Sequence, residues 1–375
     1  MSQSGTEDRL SFLENLRAVV VFLIIVLHGS MIFMKYAPDW WYVVDSGTSL
    51  FFTFLVLVLD IPLILILLFI AGYYVYPALV EFRANGFLRR VAKHIGVPWV
   101  IGVFLLAPPI GYLTLYSRNM PVPYALYLEE HFWKDYFTQS VYWFLGVLIV
   151  LYAAVTLVYY ASVSFRSIRL IRERPDWISI AVFLGILSAA GIFINLSVPL
   201  DAWRHYGYLI MVQPVRVPLY IGYFLLGIYA YKNGWFRSGG YLPESKLWIP
   251  LAIFSGIVYV LSRIMLAREA GPEPAFDAVA VITMNMFAYS AIMGAIGLSH
   301  TYLNYRTTFW IIAARNWYGM YYIHPLILFP AALYVIPLEM NVHMKAAVVI
   351  LAGWGITWLI STYILTKAPL LRDTF

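Results

Sequence analysis

An arginine and a histidine stand eleven residues apart in the first long apolar segment of the chain, at Arg17 and His28. A helix turns by about 100° per residue, so both side chains share one face, about 16 Å apart along the axis. If Arg17 lies at a membrane boundary, His28 lies about half-way through the hydrocarbon layer. An ionisable side chain at that depth is a functional candidate, and imidazole exchanges a proton near neutral pH. The spacing favours His28 as a catalytic acid or base, with a structural interhelical hydrogen bond as the alternative.

A basic cluster follows at Arg89, Arg90 and Lys93. The planar forks of arginine and the ammonium group of lysine bind phosphates well, so this cluster is a candidate anion site. The same charges would attract anionic lipid headgroups and set the orientation of the chain in a membrane, which is the alternative.

Two further polar residues stand inside apolar segments. Asp60 is the only acidic residue clearly within such a segment, and it comes shortly before Pro62. It is a candidate to pair with His28, or it marks an interfacial break in the helix ahead of the proline. His324, which precedes Pro325 in an aromatic stretch, is a second candidate for a buried histidine.

One more pairing is suggested by spacing alone. Asp201 and His205 stand four residues apart, a distance that would orient an acid–base pair on a short helix. A solvated loop is the simpler interpretation of the same residues.

The composition says what kind of protein must position these side chains. The chain has 375 residues, of which 62% are hydrophobic and 12% are charged. Soluble domains carry about 25% charged residues, so the missing polar surface indicates contact with lipid. We therefore predict an all-α, polytopic integral membrane protein that forms a single domain over residues 1–375, with the lipid bilayer as its surroundings.

The charged and metal-binding residues narrow the function classes. The net charge of +6 collects in particular loops, which indicates membrane orientation and not nucleic-acid binding. The chain has no cysteine, and its seven histidines are dispersed, so neither a thiol nucleophile nor a metal site is expected. Nothing in the sequence predicts an oligomeric state.

Ten segments have the length and apolar character of membrane-spanning helices. They cover roughly residues 16–36, 52–80, 96–116, 141–163, 178–195, 214–232, 247–265, 278–299, 317–337 and 345–366. Basic residues alternate between the connections in a way that puts both termini in the cytoplasm. The basic side is marked by Arg83, Arg89, Arg90, Lys93, Arg166, Arg169, Arg172, Arg174, Lys232, Arg237, Lys246, Arg306, Arg315, Lys367 and Arg372. The opposite connections, 38–49, 117–139, 196–213 and 266–277, are rich in proline and aromatic residues, and 117–139 is long enough to cover a site.

The segment Phe12-Leu13-Glu14-Asn15-Leu16-Arg17, with His28 after it, resembles the Arg-x10-His opening of acyltransferase family 3, a family of membrane-bound O-acyltransferases. Further pieces follow in the order of that family: Ala71-Gly72-Tyr73, the basic loop that ends at Pro98, Trp143-Phe144-Leu145, Phe224-Leu225-Leu226-Gly227 and Tyr318-Gly319 through His324-Pro325. Residues Ser49–Tyr76 and Lys93–Pro98 are similar to the branch that includes glucans biosynthesis protein C, a succinyl-transfer protein.

This resemblance implies a function. The donor would be a cytoplasmic acyl-CoA, acetyl-CoA or succinyl-CoA, and the acceptor a hydroxyl of an extracytoplasmic sugar, glycan or lipid, in a bacterial inner membrane. His28 would act as base on the acceptor or in relay of the acyl group, and Arg17 would orient the site or bind the donor. Arg89, Arg90 and Lys93 would hold the donor phosphates, while Asp60, His324 and Tyr318 are further candidates for the site.

The chain departs from the family pattern in two places. Relatives carry a Phe-Arg-Met-Pro-x-Phe-Phe pattern in the second span, where this chain has only aliphatic residues from Leu63 to Leu68 after Pro62. The Arg-x-x-Arg pair becomes Arg90 and Lys93, which keeps the charge without the second fork. The aliphatic second span keeps open the alternative of a catalytically silent scaffold for envelope synthesis. A transporter or flippase of a lipid-linked or acylated molecule is a further alternative, distinguished by movement of substrate without covalent change.

Overall fold

The computed structural model describes residues 10–120, 122–163, 165, 174–268 and 274–367. Arg166, Arg169, Arg172 and Arg372 of the predicted basic side, and most of the connection 266–277, lie outside the described side chains. The helices of the described part are α1 Ser11–Met31, α2 Leu50–Val91, α3 Val97–Ile101, α4 Ala107–Tyr116, α5 Tyr124–Leu126, α6 Trp143–Ala161, α7 Trp177–Asn195, α8 Val217–Lys232, α9 Ser245–Arg268, α10 Pro274–Tyr302, α11 Thr308–Val335 and α12 Val342–Ile360.

Short irregular elements complete the fold. Two three-residue strands, β1 Arg204–Tyr206 and β2 Ile210–Val212, form an antiparallel hairpin. Single π-helical turns cover Ala92–Gly96, Gly102–Leu106, Tyr127–Phe132 and Ser361–Leu365, and 3₁₀ turns cover Ser140–Tyr142 and Pro214–Arg216. The prediction of an all-α membrane protein is confirmed.

Every one of the ten predicted segments is helical over most of its described length, but they divide differently from the prediction. Seven helical stretches in the described ranges are long and apolar enough to cross a membrane. One of them, Leu50–Tyr116, contains two predicted segments joined without a loop. The segments predicted at 214–232 and 317–337 correspond to α8 and α11, which stand outside those seven. The first helix begins at Ser11 and ends at Met31, earlier along the chain than predicted.

The long stretch Leu50–Tyr116 reverses direction at Arg83, the one residue of α2 with non-helical dihedral angles, φ 53° and ψ 163°. The reversal follows from the neighbours on each side. Before Arg83, α2 runs antiparallel to α1, since Phe52 packs on Phe33 and Tyr74 packs on Arg17. Helix α11 runs parallel to α1, since Trp317 packs on Arg17 and His324 bonds His28.

After Arg83 the chain runs parallel to α11. The Tyr318 hydroxyl donates to the His94 carbonyl and, one turn later, the Tyr322 hydroxyl donates to the Pro98 carbonyl, both at 2.9 Å. Pro98 has no N–H to donate to the carbonyl of residue 94, and the Tyr318 hydroxyl donates to that carbonyl. A non-glycine residue at positive φ costs about 1–3 kcal/mol, which this turn accepts in place of a loop.

A cluster of ion pairs links α2 and α9 to the connection between α7 and α8. Arg216 contacts the carboxylates of Asp60 at 2.6 Å and Asp201 at 3.3 Å, and the Arg263 guanidinium also bonds Asp201. Burial raises the pKa of the Asp201 carboxyl, but the adjacent Arg263 and Arg216 outweigh that effect and hold its pKa below the usual value. Two positive and two negative groups thus neutralise each other, as charges in low-dielectric surroundings must.

The crossing of α2 and α8 depends on two glycines. A Cβ at Gly72 would stand 1.9 Å from the Phe224 carbonyl oxygen, and one at Gly227 would stand 2.1 Å from the Phe69 carbonyl oxygen. The two backbones therefore touch, as at the small-residue crossings of membrane helices.

We expect Gly72→Ala to destabilise the protein, because the new methyl must push α8 away from α2. Overpacking of this kind typically costs about 1–3 kcal/mol, which lowers the melting temperature by several degrees. The matched control is Gly185→Ala on α7, where a Cβ meets nothing within 4 Å. Thermal unfolding of both variants in detergent is the measurement; equal melting temperatures would show that the helices separate without penalty.

Candidate active site

A cavity of about 920 Å³ lies beside His28, and we call it the histidine cavity. Its walls combine aromatic and aliphatic residues, and three of the predicted proline- and aromatic-rich connections meet around it. The connection 38–49 contributes Trp40 and Trp41 to the lining, 117–139 contributes Phe137 and Thr138, and 196–213 contributes Trp203, each together with other residues. The cavity also holds four aspartates and two arginines of the described chain, Asp39, Asp60, Asp135, Asp201, Arg216 and Arg263.

A second cavity of about 1440 Å³ lies beside Arg17, and we call it the arginine cavity. Its lining combines aromatic residues with charged ones, among which four arginines outnumber two glutamates. These charged residues are Arg17, Arg237, Arg306, Arg315, Glu14 and Glu81. The formal excess of two positive charges makes this cavity suited to an anion.

His28 forms a hydrogen bond with a second histidine. The distance from His28 Nδ1 to His324 Nε2 is 2.7 Å, the ring planes differ by 11°, and the ring centroids are 5.0 Å apart. His324 is fully buried, whereas His28 is partly exposed and lines the histidine cavity. Trp41 packs on the His28 ring with a centroid distance of 5.3 Å. The two histidine candidates are therefore a single unit.

The backbone of α11 holds that unit in place. His324 Nδ1 lies 2.7 Å from the carbonyl oxygen of Tyr321. In an unbroken helix that carbonyl would accept the N–H of the residue four positions later, but this residue is Pro325, which has no N–H. The free carbonyl bonds His324 instead, so the dipeptide His-Pro both breaks a helical hydrogen bond and uses the acceptor thus released.

Arg17 shares the face of α1 predicted from its spacing, but it lines the arginine cavity while His28 lines the other. Its guanidinium lies 4.9 Å from the Trp317 ring and 5.7 Å from the Tyr74 ring. Tyr318 lines the same cavity as Arg17. Candidates that the sequence grouped together are thus divided between two chambers.

Arg89, Arg90 and Lys93 do not line either cavity, and their side chains are exposed. Arg90 lies over the Phe82 ring at 3.8 Å. The arginines that do line the arginine cavity, apart from Arg17, come from the connection after α8, from the connection before α11 and from α11 itself. Sequence reasoning used these residues, Arg237, Arg306 and Arg315, only as markers of orientation.

The predicted acidic partners also have other roles. Asp60 lies in an unbroken part of α2 and pairs with Arg216, so the structure gives its partner as an arginine and not His28. Asp201 and His205 do not lie on a helix, because residues 204–206 form β1. Asp201 bonds the two arginines, while His205 is exposed and bonds the Gly207 carbonyl at 3.2 Å.

Tyr321 is the residue that sequence reasoning missed. Among the described residues, it alone lines both cavities. Its hydroxyl donates to the Val141 carbonyl, and its own carbonyl accepts from His324. The signal in the sequence was Pro325, four positions later, which identifies the carbonyl of residue 321 as unbonded within the helix.

Comparison with known proteins agrees with this architecture. The acyltransferase domain model of acyltransferase family 3 matches residues 10–365. No curated protein and no solved structure matches the chain. Because the match covers nearly the whole chain, from the residue before α1 to the last π-helical turn, the chain belongs to acyltransferase family 3, a family of membrane acyltransferases.

Proposed function

We propose that this protein transfers an acetyl- or succinyl-class acyl group from a cytoplasmic acyl-CoA to a hydroxyl of an extracytoplasmic sugar, glycan or lipid, with His28 as the base. The observation that carries the proposal is the hydrogen-bonded series from His28 through His324 to the Tyr321 carbonyl. A base needs a fixed tautomer and a free lone pair beside its substrate, and this series supplies both.

The tautomers follow from the acceptor at the end of the series. A carbonyl oxygen only accepts, so His324 Nδ1 carries a proton and donates it to Tyr321. Neutral His324 then has its lone pair on Nε2, which accepts from His28 Nδ1–H. The lone pair of His28 is therefore on Nε2, the nitrogen left for substrate. His324 is a positioning residue in this scheme, in the place that a carboxylate takes in other base–histidine pairs.

The proposed reaction balances with these groups alone. His28 Nε2 takes the hydroxyl proton as the acceptor oxygen attacks the thioester carbonyl carbon. The tetrahedral intermediate collapses with cleavage of the carbon–sulfur bond, and the departing thiolate receives the proton from the His28 imidazolium. The products are an oxygen ester and a free thiol, and the imidazole is neutral again. The hydrogen bond to His324 stabilises the imidazolium while it exists.

The arginine cavity supports an anionic donor. Coenzyme A carries several phosphate charges, and arginine forks bind phosphate oxygens in pairs. Arg17, Arg237 and Arg315 line this cavity together with aromatic rings that an adenine could stack on, such as Trp317. The assignment of Arg89, Arg90 and Lys93 to the donor phosphates rests on the family resemblance, and these exposed residues would contribute before the donor enters the cavity.

The positions of the cavities support the predicted orientation, in which the chain passes ten times through the membrane and both termini are cytoplasmic. Arg237, Arg306 and Arg315, from connections predicted to be cytoplasmic, line the arginine cavity. Residues from three connections predicted to be extracytoplasmic line the histidine cavity. Donor and acceptor would then enter from opposite sides of an inner membrane.

We expect His28→Ala to abolish acyl transfer, because general-base catalysis typically contributes about 10²–10⁴-fold to a rate. Mass spectrometry of surface glycans and lipids from cells that express each variant detects the acyl increment and identifies it. The control is His205→Ala, an exposed histidine outside both cavities, which should match wild type. Full activity in His28→Ala would contradict the proposal, and movement of an unmodified molecule without acyl transfer would support the transporter alternative.

We expect His324→Ala to lower kcat strongly and His324→Gln to recover part of the loss, because a glutamine carbonyl can accept from His28 Nδ1. The measurement is the pH dependence of kcat with purified protein. Loss of the hydrogen-bond acceptor should shift the pH at which kcat falls as the His28 imidazole becomes protonated. A merely structural effect would lower kcat by the same factor at every pH and leave that pH unchanged. Equal profiles for wild type and His324→Ala would remove His324 from the mechanism.

Two groups of basic residues make opposite predictions for donor binding. We expect Arg237→Gln combined with Arg315→Gln to weaken coenzyme A binding roughly tenfold or more, since each charged hydrogen bond contributes about 1.5–3 kcal/mol. Arg89→Gln combined with Lys93→Gln is the matched control, with the same loss of charge outside the cavity. Calorimetric titration with coenzyme A measures the affinity of both double variants. A larger loss of affinity in the control pair would show that the exposed cluster, and not the arginine cavity, binds the donor.

A further inference from the structure

The two cavities pose a problem for any transfer reaction between them. Arg17 and His28 lie on the same helix but in different cavities, and an acyl group held on the arginine side must cross to reach His28. The boundary between the cavities can be located on two helices. Along α2, Ile64 lines the histidine cavity and Leu67 lines the arginine cavity; along the start of α6, the change falls between Trp143 and Phe144.

Tyr321 stands at this boundary. Its hydroxyl bonds the carbonyl of Val141, which lines the histidine cavity, and its ring centroid lies 6.0 Å from that of Phe144, which lines the arginine cavity. The side chain is buried, with 3% of its surface exposed. One hydrogen bond and ring packing hold it there, whereas the bond that orients His324 uses the backbone carbonyl of the same residue. A rotamer change of the Tyr321 side chain therefore breaks the Val141 bond and the packing on the His324 ring, 5.9 Å between centroids, but leaves the hydrogen bonds from His28 through His324 to the Tyr321 carbonyl in place.

The rest of the boundary is apolar. Leu63, Ile64 and Leu67 of α2 and Ile24 of α1 are the side chains on either side of it, and Phe144 completes the set. Leu63 and Leu67 belong to the aliphatic run that stands where relatives have polar residues. A carboxylate in such surroundings has no partner and loses its hydration, whereas a neutral acyl group loses little.

We propose that Tyr321 is the movable partition between donor and acceptor cavities, and that the apolar passage it closes admits small neutral acyl groups and excludes charged ones. The proposal rests on the proposed function and refines its donor: acetyl is accepted and succinyl is not. The phenol swings away from Val141, the acyl thioester passes between α2 and α6, and the transfer at His28 proceeds as written above.

The partition can be tested without turnover, because the chain has no cysteine and an introduced thiol is the sole one. Ile64→Cys and Ala71→Cys place thiols on the same helix, in the histidine and arginine cavities respectively. A membrane-impermeant maleimide is added to sealed vesicles of either orientation. With Tyr321 present, each thiol should react from one side only, and from opposite sides.

Adding Tyr321→Ala should make Ile64→Cys react from both sides. From the side that labels Ala71→Cys, the Ile64→Cys thiol should react at least tenfold faster than it does with Tyr321 present. Tyr321→Phe, which keeps the ring and loses the hydroxyl, should give a smaller increase. Thermal unfolding in detergent checks that each variant is folded, and Tyr321→Leu replaces Tyr321→Ala if that variant fails the check. One-sided labelling in a folded variant with the small side chain would overturn the partition.

Acyl selectivity is tested separately with purified protein. We expect kcat/KM for acetyl-CoA to exceed that for succinyl-CoA at least tenfold, and Tyr321→Ala to improve the use of butyryl-CoA, which is longer but neutral. Succinyl-CoA used as well as acetyl-CoA by the wild type would refute the exclusion of charge. If no acyl-CoA is turned over at all, the proposed function fails, while the labelling result still decides whether Tyr321 divides the cavities.

Discussion

The arrangement of the candidate site depends on one missing hydrogen bond in α11. Pro325 cannot donate to the Tyr321 carbonyl, and the released carbonyl binds His324, which in turn contacts His28 on another helix. In the interior of a membrane protein a carbonyl without a donor is costly, so the histidine is drawn to it and held. A defect in one helix thereby sets the direction of a side chain on its neighbour. A second proline has a comparable neighbour, since the Tyr318 hydroxyl of the same helix donates to the carbonyl of His94, four residues before Pro98.

The apolar run of the second helix acquires a different meaning from the one suggested by its departure from relatives. In sequence, Leu63 to Leu68 look like the loss of polar functional groups. In the structure, this run is mostly buried and spans the level at which the two cavities separate. Polar groups there would bridge the cavities with water or charge, whereas leucine and isoleucine keep them apart. The arginine cavity has an excess of basic residues and the histidine cavity has an excess of aspartates. This difference in charge requires an apolar segment between the two cavities.

Much of this could be predicted from sequence because it follows from local rules. The apolar lengths predicted the helical segments, and the period of the helix correctly placed Arg17 and His28 on one face. The pairing of His28 with His324 could not be predicted, since it requires the packing of α1 on α11 across nearly 300 residues of chain. The ion pairs of Arg216, which lies in a short 3₁₀ turn, could not be predicted for the same reason. Nor could the basic lining of the arginine cavity, whose arginines come from distant parts of the chain. The loop expected between the second and third segments was absent because one residue at positive φ made the turn.

That loop-free reversal at Arg83 bears on how the protein is made. In this protein, helical residues run without a loop from Leu50 to Tyr116, and Arg83 is the residue of α2 that departs from helical dihedral angles. The two arms form a helical hairpin in which the second arm follows the first without a loop. The α2–α8 glycine contact and the tyrosine bonds from α11 can form only after those later helices are synthesised, because both involve residues far downstream of the hairpin.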